Sequence, residues 1–244
     1  MSDPAISVII PAFNEEKYLP TYLPTVLASV ARWESASGRP AEVIVIDNDS
    51  TDATAAVALE LGATVITEPV RGIGRARNSG AAQAKGKYLL FVDADVDFPE
   101  EGVTAVVAAM DTGTTVGGSI PALYEPTKRA TRVLFGMWRG IRAIRGGAQG
   151  VTQFCTRSAY DTVGGYRSDR YMSEDVEFFA RLTRLGKRTR APVVSLDHLQ
   201  VRPSPRRFET WSSWRMIWYT NPVTARLFLN SRRFWRGWYD NTVR

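Results

Sequence analysis

The chain has 244 residues, of which 44% are hydrophobic and 23% charged, an ordinary balance for a globular protein and ample for one large α/β core with or without an appendage. Its one cysteine, Cys155, excludes an internal disulfide and any Cys-rich zinc site. The net charge of +6 is unevenly placed: residues 200–244 hold nine arginines and no lysine against Glu209 and Asp240, so the basicity belongs to the C-terminal segment and the rest of the chain is close to neutral.

The opening MSDPAISVIIP lacks the basic lead and apolar core of a secretory leader, and no stretch reaches the roughly 18 uncharged apolar residues of a spanning helix. A soluble or peripherally attached protein is therefore expected, in the cytoplasm or on the inner face of the membrane. AISVIIPAFN reads as a buried strand that ends near Pro11 and Asn14. EKYLPTYLPTVLASVARW has helical spacing, with Pro20 and Pro24 confining the regular helix to its later part. AEVIVIDNDSTDAT is a second strand with a polar end. Ser50 or Thr51 then caps a helix through DATAAVALELG, which Gly62 stops. ATVITEP is a third strand, and GRARNSGAAQAKG is a helix of small residues leading into the strand KYLLFVDAD.

Further on, a helix is expected near Gly102 to Met110 and a strand in TTVGGSIPALY. TKRATRVLFGMWRGIRAIR places Val133, Leu134, Met137, Trp138, Ile141 and Ile144 on one helical face and most of its basic residues on the other. MSEDVEFFARLTRLGK reads as a helix with Ser173 at its N-cap and Gly186 at its end, and VVSLDHLQV as a late strand. Strands alternating with helices of this length imply a parallel sheet covered on both faces, and such sheets bind ligands beyond the carboxyl ends of their strands. The polar clusters Asn14–Glu15, Asp47–Asp49 and Asp93–Asp97 all fall at those ends.

Each cluster has a chemical reading and a plainer one. In YLLFVDADVDF, Asp93 and Asp95 flank Ala94 and can converge on a hard divalent cation that bridges two phosphates, or they are a polar strand end facing water. Asp97 is expected at the surface or behind the site. Asp47, Asn48 and Asp49 can accept hydrogen bonds from a base or a ribose, or serve loop and cap. In RGIGRARNSG, Gly72 and Gly74 permit close backbone approach and Arg75 and Arg77 can meet phosphates; the plainer account is a Gly-rich surface turn, and the order of elements does not support a dehydrogenase. Glu174 and Asp175 are adjacent acids on different helical faces, so one can be a general base while the other caps or pairs. His198, the only histidine, is either structural or a nitrogen ligand to a metal held mainly by Asp95.

Taken in order, SVIIPAFNEEKYL, VIVIDNDSTDAT, GRARNSGAAQAKGKYLLFVDADV, VGGYRSDRYMSEDVEFFARLTRLGK and the later His198 resemble the family 2 glycosyltransferases, over roughly residues 5–200. The resemblance implies a GT-A fold: one Rossmann-like, mixed but mostly parallel α/β sheet flanked by helices. It implies an inverting transfer from a nucleotide diphosphate sugar, with Mn²⁺ or Mg²⁺ as cofactor. Pro11, Ala12, Asn14 and Glu15 match the segment that wraps the nucleotide. Asp47 matches the first acid of a base-contacting DDGSTD, which here reads DNDSTD, so either Asp47 or Asp49 contacts the base. Arg77 and Asn78 match a segment near the nucleotide. Asp93 is expected towards the ribose and Asp95 on the metal. Glu174 and Asp175 match an ED motif in which Asp175 is the catalytic base. In place of the Q-x-x-R-W of processive members the chain reads SPRRFETW, which favours transfer of a single sugar.

The expected organisation is a GT-A domain at 1–199, nucleotide-binding to about 100 and acceptor-binding beyond it, and a basic, Trp-rich helical tail at 200–244. Trp211, Trp214 and Trp218 share one helical face, and Trp235, Trp238 and Tyr239 repeat the pattern. The tail either packs on the domain or on a second subunit, or lies at a membrane surface; nucleic acid is not an expected partner. A lipid-linked, sugar or small-molecule acceptor is expected, with the Trp138 segment covering its side of the site. The rival readings are a non-catalytic nucleotide-binding protein, a nucleotidyltransferase, and a retaining transferase on the same fold.

Overall fold

In a computed structural model of the chain, residues 3–125, 152–170, 173–206 and 209 are described. The expected Trp138 helix and the Arg/Trp tail beyond residue 209 lie outside the described residues. No described helix is long and apolar enough to cross a membrane.

β1 (Ile6–Ala12), β2 (Ala41–Asp47), β3 (Thr64–Thr67) and β4 (Tyr88–Val92) are mutually parallel, with β1 between β2 and β4. Beyond β4 the sheet changes direction. β7 (Thr152–Thr156) runs antiparallel to both β4 and β6 (Gly117–Ser119), and β8 (Val194–Ser195) closes the edge parallel to β6, for the order β3-β2-β1-β4-β7-β6-β8. A separate ribbon pairs β5 (Val96–Asp97) with β9 (Arg202–Pro203). The sheet is thus mixed and mostly parallel, as expected.

Side chains alternate across a strand, so each central strand feeds two cores. Val8, Ile10, Val43, Val45, Leu90 and Val92 join one layer with Leu19, Leu23, Val26 and Trp33 of α1 (Leu19–Ser37) and Val103, Val106 and Met110 of α4 (Gly102–Asp111). Ala58 of α2 (Thr54–Glu60) completes it. Ile9, Ile44, Ile46, Leu89 and Phe91 face the other way. They pack on Ala76 and Ala81 of α3 (Ile73–Gln83), Tyr160 of α5 (Arg157–Val163), and Phe178 and Leu182 of α6 (Glu174–Thr189). The small residues of α3 have a reason: a Cβ at Gly80 would lie 2.5 Å from Ile9 Cγ2 and 2.9 Å from Ile46 Cδ1.

Several expectations are corrected. α1 starts at Leu19 and includes both prolines. Pro20 sits in the first turn, where N–H groups have no helical partner anyway, and Pro24 removes only one bond from a helix buried along one face. Ser50 and Thr51 do not cap α2, which begins at Thr54; the Ser50 hydroxyl instead accepts from the Asn14 backbone N–H. α6 runs past Gly186 to Thr189, because Gly186 is an interior contact whose Cβ would meet the Ala191 carbonyl at 2.7 Å. The strand expected in VVSLDHLQV is only Val194–Ser195, and that in TTVGGSIPALY only Gly117–Ser119. The strand expected in KYLLFVDAD stops short of its acids: β4 ends at Val92, and a turn holding Asp93 and Asp95 separates it from β5.

Candidate active site

Three neighbouring strands deliver the acids to one edge. Ala12 ends β1, Asp47 ends β2 in register with it, and β4 ends one residue before Asp93. The chain turns sharply beyond the first two, with Asn14 at φ 52° and Asp49 at φ 62°, in the left-handed region that asparagine and aspartate tolerate best among residues with side chains. Asp49 thus holds a position where the resembled motif has glycine.

Asn14 is held through its amide by Thr51: its Oδ1 accepts from the Thr51 backbone N–H at 2.8 Å and its Nδ2 donates to Thr51 Oγ1 at 3.2 Å. The buried Glu15 takes its backbone bond from α2, its N–H donating to Thr54 Oγ1 at 2.7 Å. Asn48 is a structural tie. Its Nδ2 donates to the carbonyls of Glu68 and Val70, and its Oδ1 accepts from the Gly72 N–H at 2.8 Å, fixing the loop that enters α3. Asp47 accepts from the Ser50 N–H at 3.2 Å, while Asp49 is exposed and pairs with Arg71 at 3.3 Å. The Arg71 guanidinium lies over the Phe13 ring.

At the centre is Arg77, on α3 and only 2% exposed. Its Nη2 meets Asp93 at 2.7 Å and its Nη1 meets Glu174 at 2.9 Å. One guanidinium thereby joins the acid after β4 to the first residue of α6, and it also lies 5.1 Å from the Tyr166 ring centre. Burial opposes its charge, but Asp93, Tyr166, Glu174 and Asp175 outweigh burial and hold it protonated. Burial pushes Asp93 up to about 6 against the pull of Arg77. Burial, with Asp175 adding repulsion, pushes Glu174 up to about 7.

Asp175 is half-buried in the first turn of α6, following Ser173 at φ 60°. Ser173 occupies the N-cap position but makes no side-chain capping bond, which corrects its expected role. The Asp175 backbone is anchored from β7: Gln153 Nε2 donates to its carbonyl at 3.1 Å, and Tyr166 Oη donates to Gln153 Oε1 at 3.0 Å. Nothing in the residue pattern marked Gln153 or Tyr166, because their role depends on the antiparallel insertion of β7.

Asp95 meets a residue that sequence reasoning assigned to the tail. Arg206 donates to both oxygens of Glu15, at 2.6 and 2.7 Å, and approaches Asp95 Oδ2 at 3.1 Å. The Ser204 N–H donates to the Asp95 carbonyl at 2.8 Å, so the chain after β9 is stitched to the turn after β4. His198 is exposed and lines a cleft of about 280 Å³ with Asp97, Asp197 and Arg202; Asp95 does not line it. Among the described residues no group of three or more His, Cys, Asp or Glu side chains is placed to hold a metal ion. Asp95 nevertheless fits a hard cation that arrives with a diphosphate, since Mg²⁺-type ions bind through one or two carboxylates plus substrate phosphates.

The family model described as glycosyl transferase family 2 matches residues 7–174. Among curated relatives, the dolichyl-phosphate beta-glucosyltransferase of Drosophila melanogaster is 33% identical over 183 residues, 66% of this chain and 53% of that protein. An uncharacterized glycosyltransferase of Mycobacterium tuberculosis is 34% identical over 113 residues, 46% of this chain and 47% of that one. The chain spans about half the length of these relatives. Among solved structures, a mannosyltransferase from Pyrobaculum calidifontis in complex with GDP-Man and Mn²⁺ superposes with a TM-score of 0.64 at 19% identity, covering 88% of this chain and 61% of that one. The glucosyl-3-phosphoglycerate synthase of Mycobacterium tuberculosis, in complex with Mn²⁺, UDP-glucose and phosphoglyceric acid, gives 0.62 at 20% identity, covering 92% and 79%. At such identities the likeness is one of fold, the GT-A arrangement.

Proposed function

This chain belongs to glycosyl transferase family 2, and from that premise we propose that it moves a single sugar from a UDP- or GDP-type nucleotide sugar to an acceptor hydroxyl with inversion at the anomeric carbon. The observation that carries this reading is the Arg77 bridge, which places the Asp93–Asp95 turn and the Glu174–Asp175 turn on opposite sides of one buried guanidinium. A donor-side acid pair and a candidate base thus share one edge of the sheet.

In this reading Pro11, Ala12, Asn14 and Glu15 border the nucleotide, Asp47 or Asp49 meets the base, and Asp93 faces the ribose. Asp95 would hold the divalent ion together with the donor's phosphate oxygens; His198, in a cleft that Asp95 does not line, is not part of that site. That ion, when bound, neutralises the departing diphosphate. Asp175 takes the proton of the acceptor hydroxyl; the acceptor oxygen forms its bond to the anomeric carbon as the bond to the donor phosphate breaks, and the diphosphate leaves with the electron pair. One in-line displacement inverts the centre. Arg77 keeps Asp93 and Glu174 compensated, and Glu174 positions the turn that presents Asp175.

The acceptor class is proposed as a lipid-linked compound that presents a hydroxyl. Support comes from the Drosophila relative and from the undecaprenyl-phosphate 4-deoxy-4-formamido-L-arabinose transferase of Pectobacterium atrosepticum, 30% identical over 124 residues. Contact of the basic, Trp-rich tail with the inner face of a membrane belongs to the same proposal. The test incubates the protein with UDP- and GDP-sugars, Mn²⁺ and a polyprenyl-linked sugar that carries free hydroxyls, and reads the anomeric configuration of any product by NMR. A product with inverted configuration, absent with Asp175→Asn, is expected. A retained configuration, or an unaffected Asp175→Asn, overturns the mechanism.

A further inference from the structure

Arg206 is held in a way that a tail residue contributing only to surface basicity would not be. Its side chain is 10% exposed, its guanidinium lies 4.0 Å from the Tyr18 ring centre, and it forms a two-pronged pair with Glu15. The single nitrogen Nη2 lies 2.6 Å from Glu15 Oε1 and 3.1 Å from Asp95 Oδ2. One hydrogen-bonding atom therefore stands between a carboxylate that follows β1 and one that follows β4. Burial opposes the charge of Arg206, but Glu15 and Asp95 outweigh it and keep the guanidinium protonated.

Resting on the donor reading above, we propose that Arg206 is the resident cation of the donor site: it occupies Asp95 until a divalent ion displaces it, and so couples metal binding to diphosphate binding. The charges require this coupling. A divalent ion that enters alone must take Asp95 from a guanidinium already engaged with it. A diphosphate that enters alone brings negative charge beside Asp93, Asp95 and Glu15. Arriving together they add little net charge, and the displaced guanidinium stays beside Glu15 and the incoming phosphates, where its fork-shaped donors suit anionic oxygens. Two ligands that each ease the other's entry are linked reciprocally, so the same residue weakens metal binding without nucleotide and promotes it with nucleotide. The resemblance reading placed the metal on Asp95 and assigned nothing to Arg206.

The test measures Mn²⁺ binding by the loss of the free-ion EPR signal, with and without UDP or GDP, for the wild type, Arg206→Met, Arg206→Lys and Asp95→Asn, with folding checked by circular dichroism. Without nucleotide, Arg206→Met is expected to bind Mn²⁺ about tenfold more tightly than the wild type, and the strengthening of Mn²⁺ binding by nucleotide is expected to shrink by a similar factor. Arg206→Lys, which keeps a cation but not the fork that reaches Glu15 and Asp95 together, is expected to fall between the wild type and Arg206→Met. If Arg206→Met binds Mn²⁺ no more tightly than the wild type while Asp95→Asn abolishes binding, Arg206 is not the competing cation and only this proposal fails. If Asp95→Asn binds Mn²⁺ as the wild type does, the metal reading fails with it. If Arg206→Met does not fold, Arg206→Gln, which removes the charge and keeps hydrogen-bonding atoms, decides: binding about tenfold tighter than the wild type without nucleotide supports the proposal, and unchanged binding contradicts it.

Discussion

Arg77 and Glu174 stand 97 positions apart in the chain and meet at 2.9 Å inside the protein, on a guanidinium that Asp93 engages at its other edge. α3 and α6 are thereby tied together at the carboxyl edge of the sheet, and each acid's desolvation is offset by the same cation.

Removing that cation leaves the buried Glu174 and the half-buried Asp93 without compensation. Arg77→Met is expected to destabilise the fold by about 3–5 kcal/mol, the range for breaking a buried pair from one side. Arg77→Lys should recover only part of this, since one ammonium does not span Asp93 and Glu174 as the fork does. Urea denaturation of the three proteins checks both statements.

The upward shifts of Asp93 and Glu174 set the sign of a pH effect. An acid with a folded-state value above its unfolded one binds more protons when folded, so stability falls as pH rises through the interval between the two values. For Glu174 that interval runs from the ordinary glutamate value of 4.5 to about 7, and for Asp93 from the ordinary aspartate value of 3.8 to about 6. Denaturation midpoints should therefore decline between pH 4.5 and 7 by more in the wild type than in Glu174→Gln. Equal slopes in the two proteins would rule out Glu174 as a source of the decline.

Gln153 acts on Asp175 through its backbone. Gln153→Leu removes the donor to the Asp175 carbonyl and the acceptor for Tyr166 Oη, and is expected to lower kcat about tenfold, or about 1.4 kcal/mol, with the donor KM unchanged. A rise in donor KM with kcat intact would place Gln153 on the nucleotide side instead.

Gly80→Ala presses a methyl group into Ile9 and Ile46 in the middle of the sheet. Overpacking at such a contact is expected to cost about 1–3 kcal/mol, readable as a lowered melting temperature with no change in pH dependence.

Much of this arrangement was legible in the residues because it is local. The hydrophobic runs of β1, β2 and β4 and the polar residues at their ends follow from alternation and from the rule that open α/β sheets bind ligands at strand ends. What escaped depended on non-local pairing. β7 threads antiparallel between β4 and β6, and only that insertion brings Gln153 under Asp175. Arg206 looked like one more arginine in a basic tail; its pairing with Glu15 spans 191 positions, and no periodicity encodes it. Asn48 stands in the sequence among acids expected to contact a base, yet the bonds its side chain makes hold the loop before α3. Asp97, the third acid of the run, pairs through its backbone with Arg202 in a separate ribbon.

The central claim is that the edge formed by the ends of β1, β2 and β4 binds a nucleotide diphosphate sugar with a divalent ion on Asp95. Isothermal titration of UDP, GDP and their sugars into the wild type and Asp95→Asn, with and without Mn²⁺, tests it most directly. The account predicts that at least one of these ligands binds the wild type in a Mn²⁺-dependent way and that Asp95→Asn loses this dependence. Binding by none of them, or Mn²⁺-dependent binding that Asp95→Asn retains in full, would contradict it.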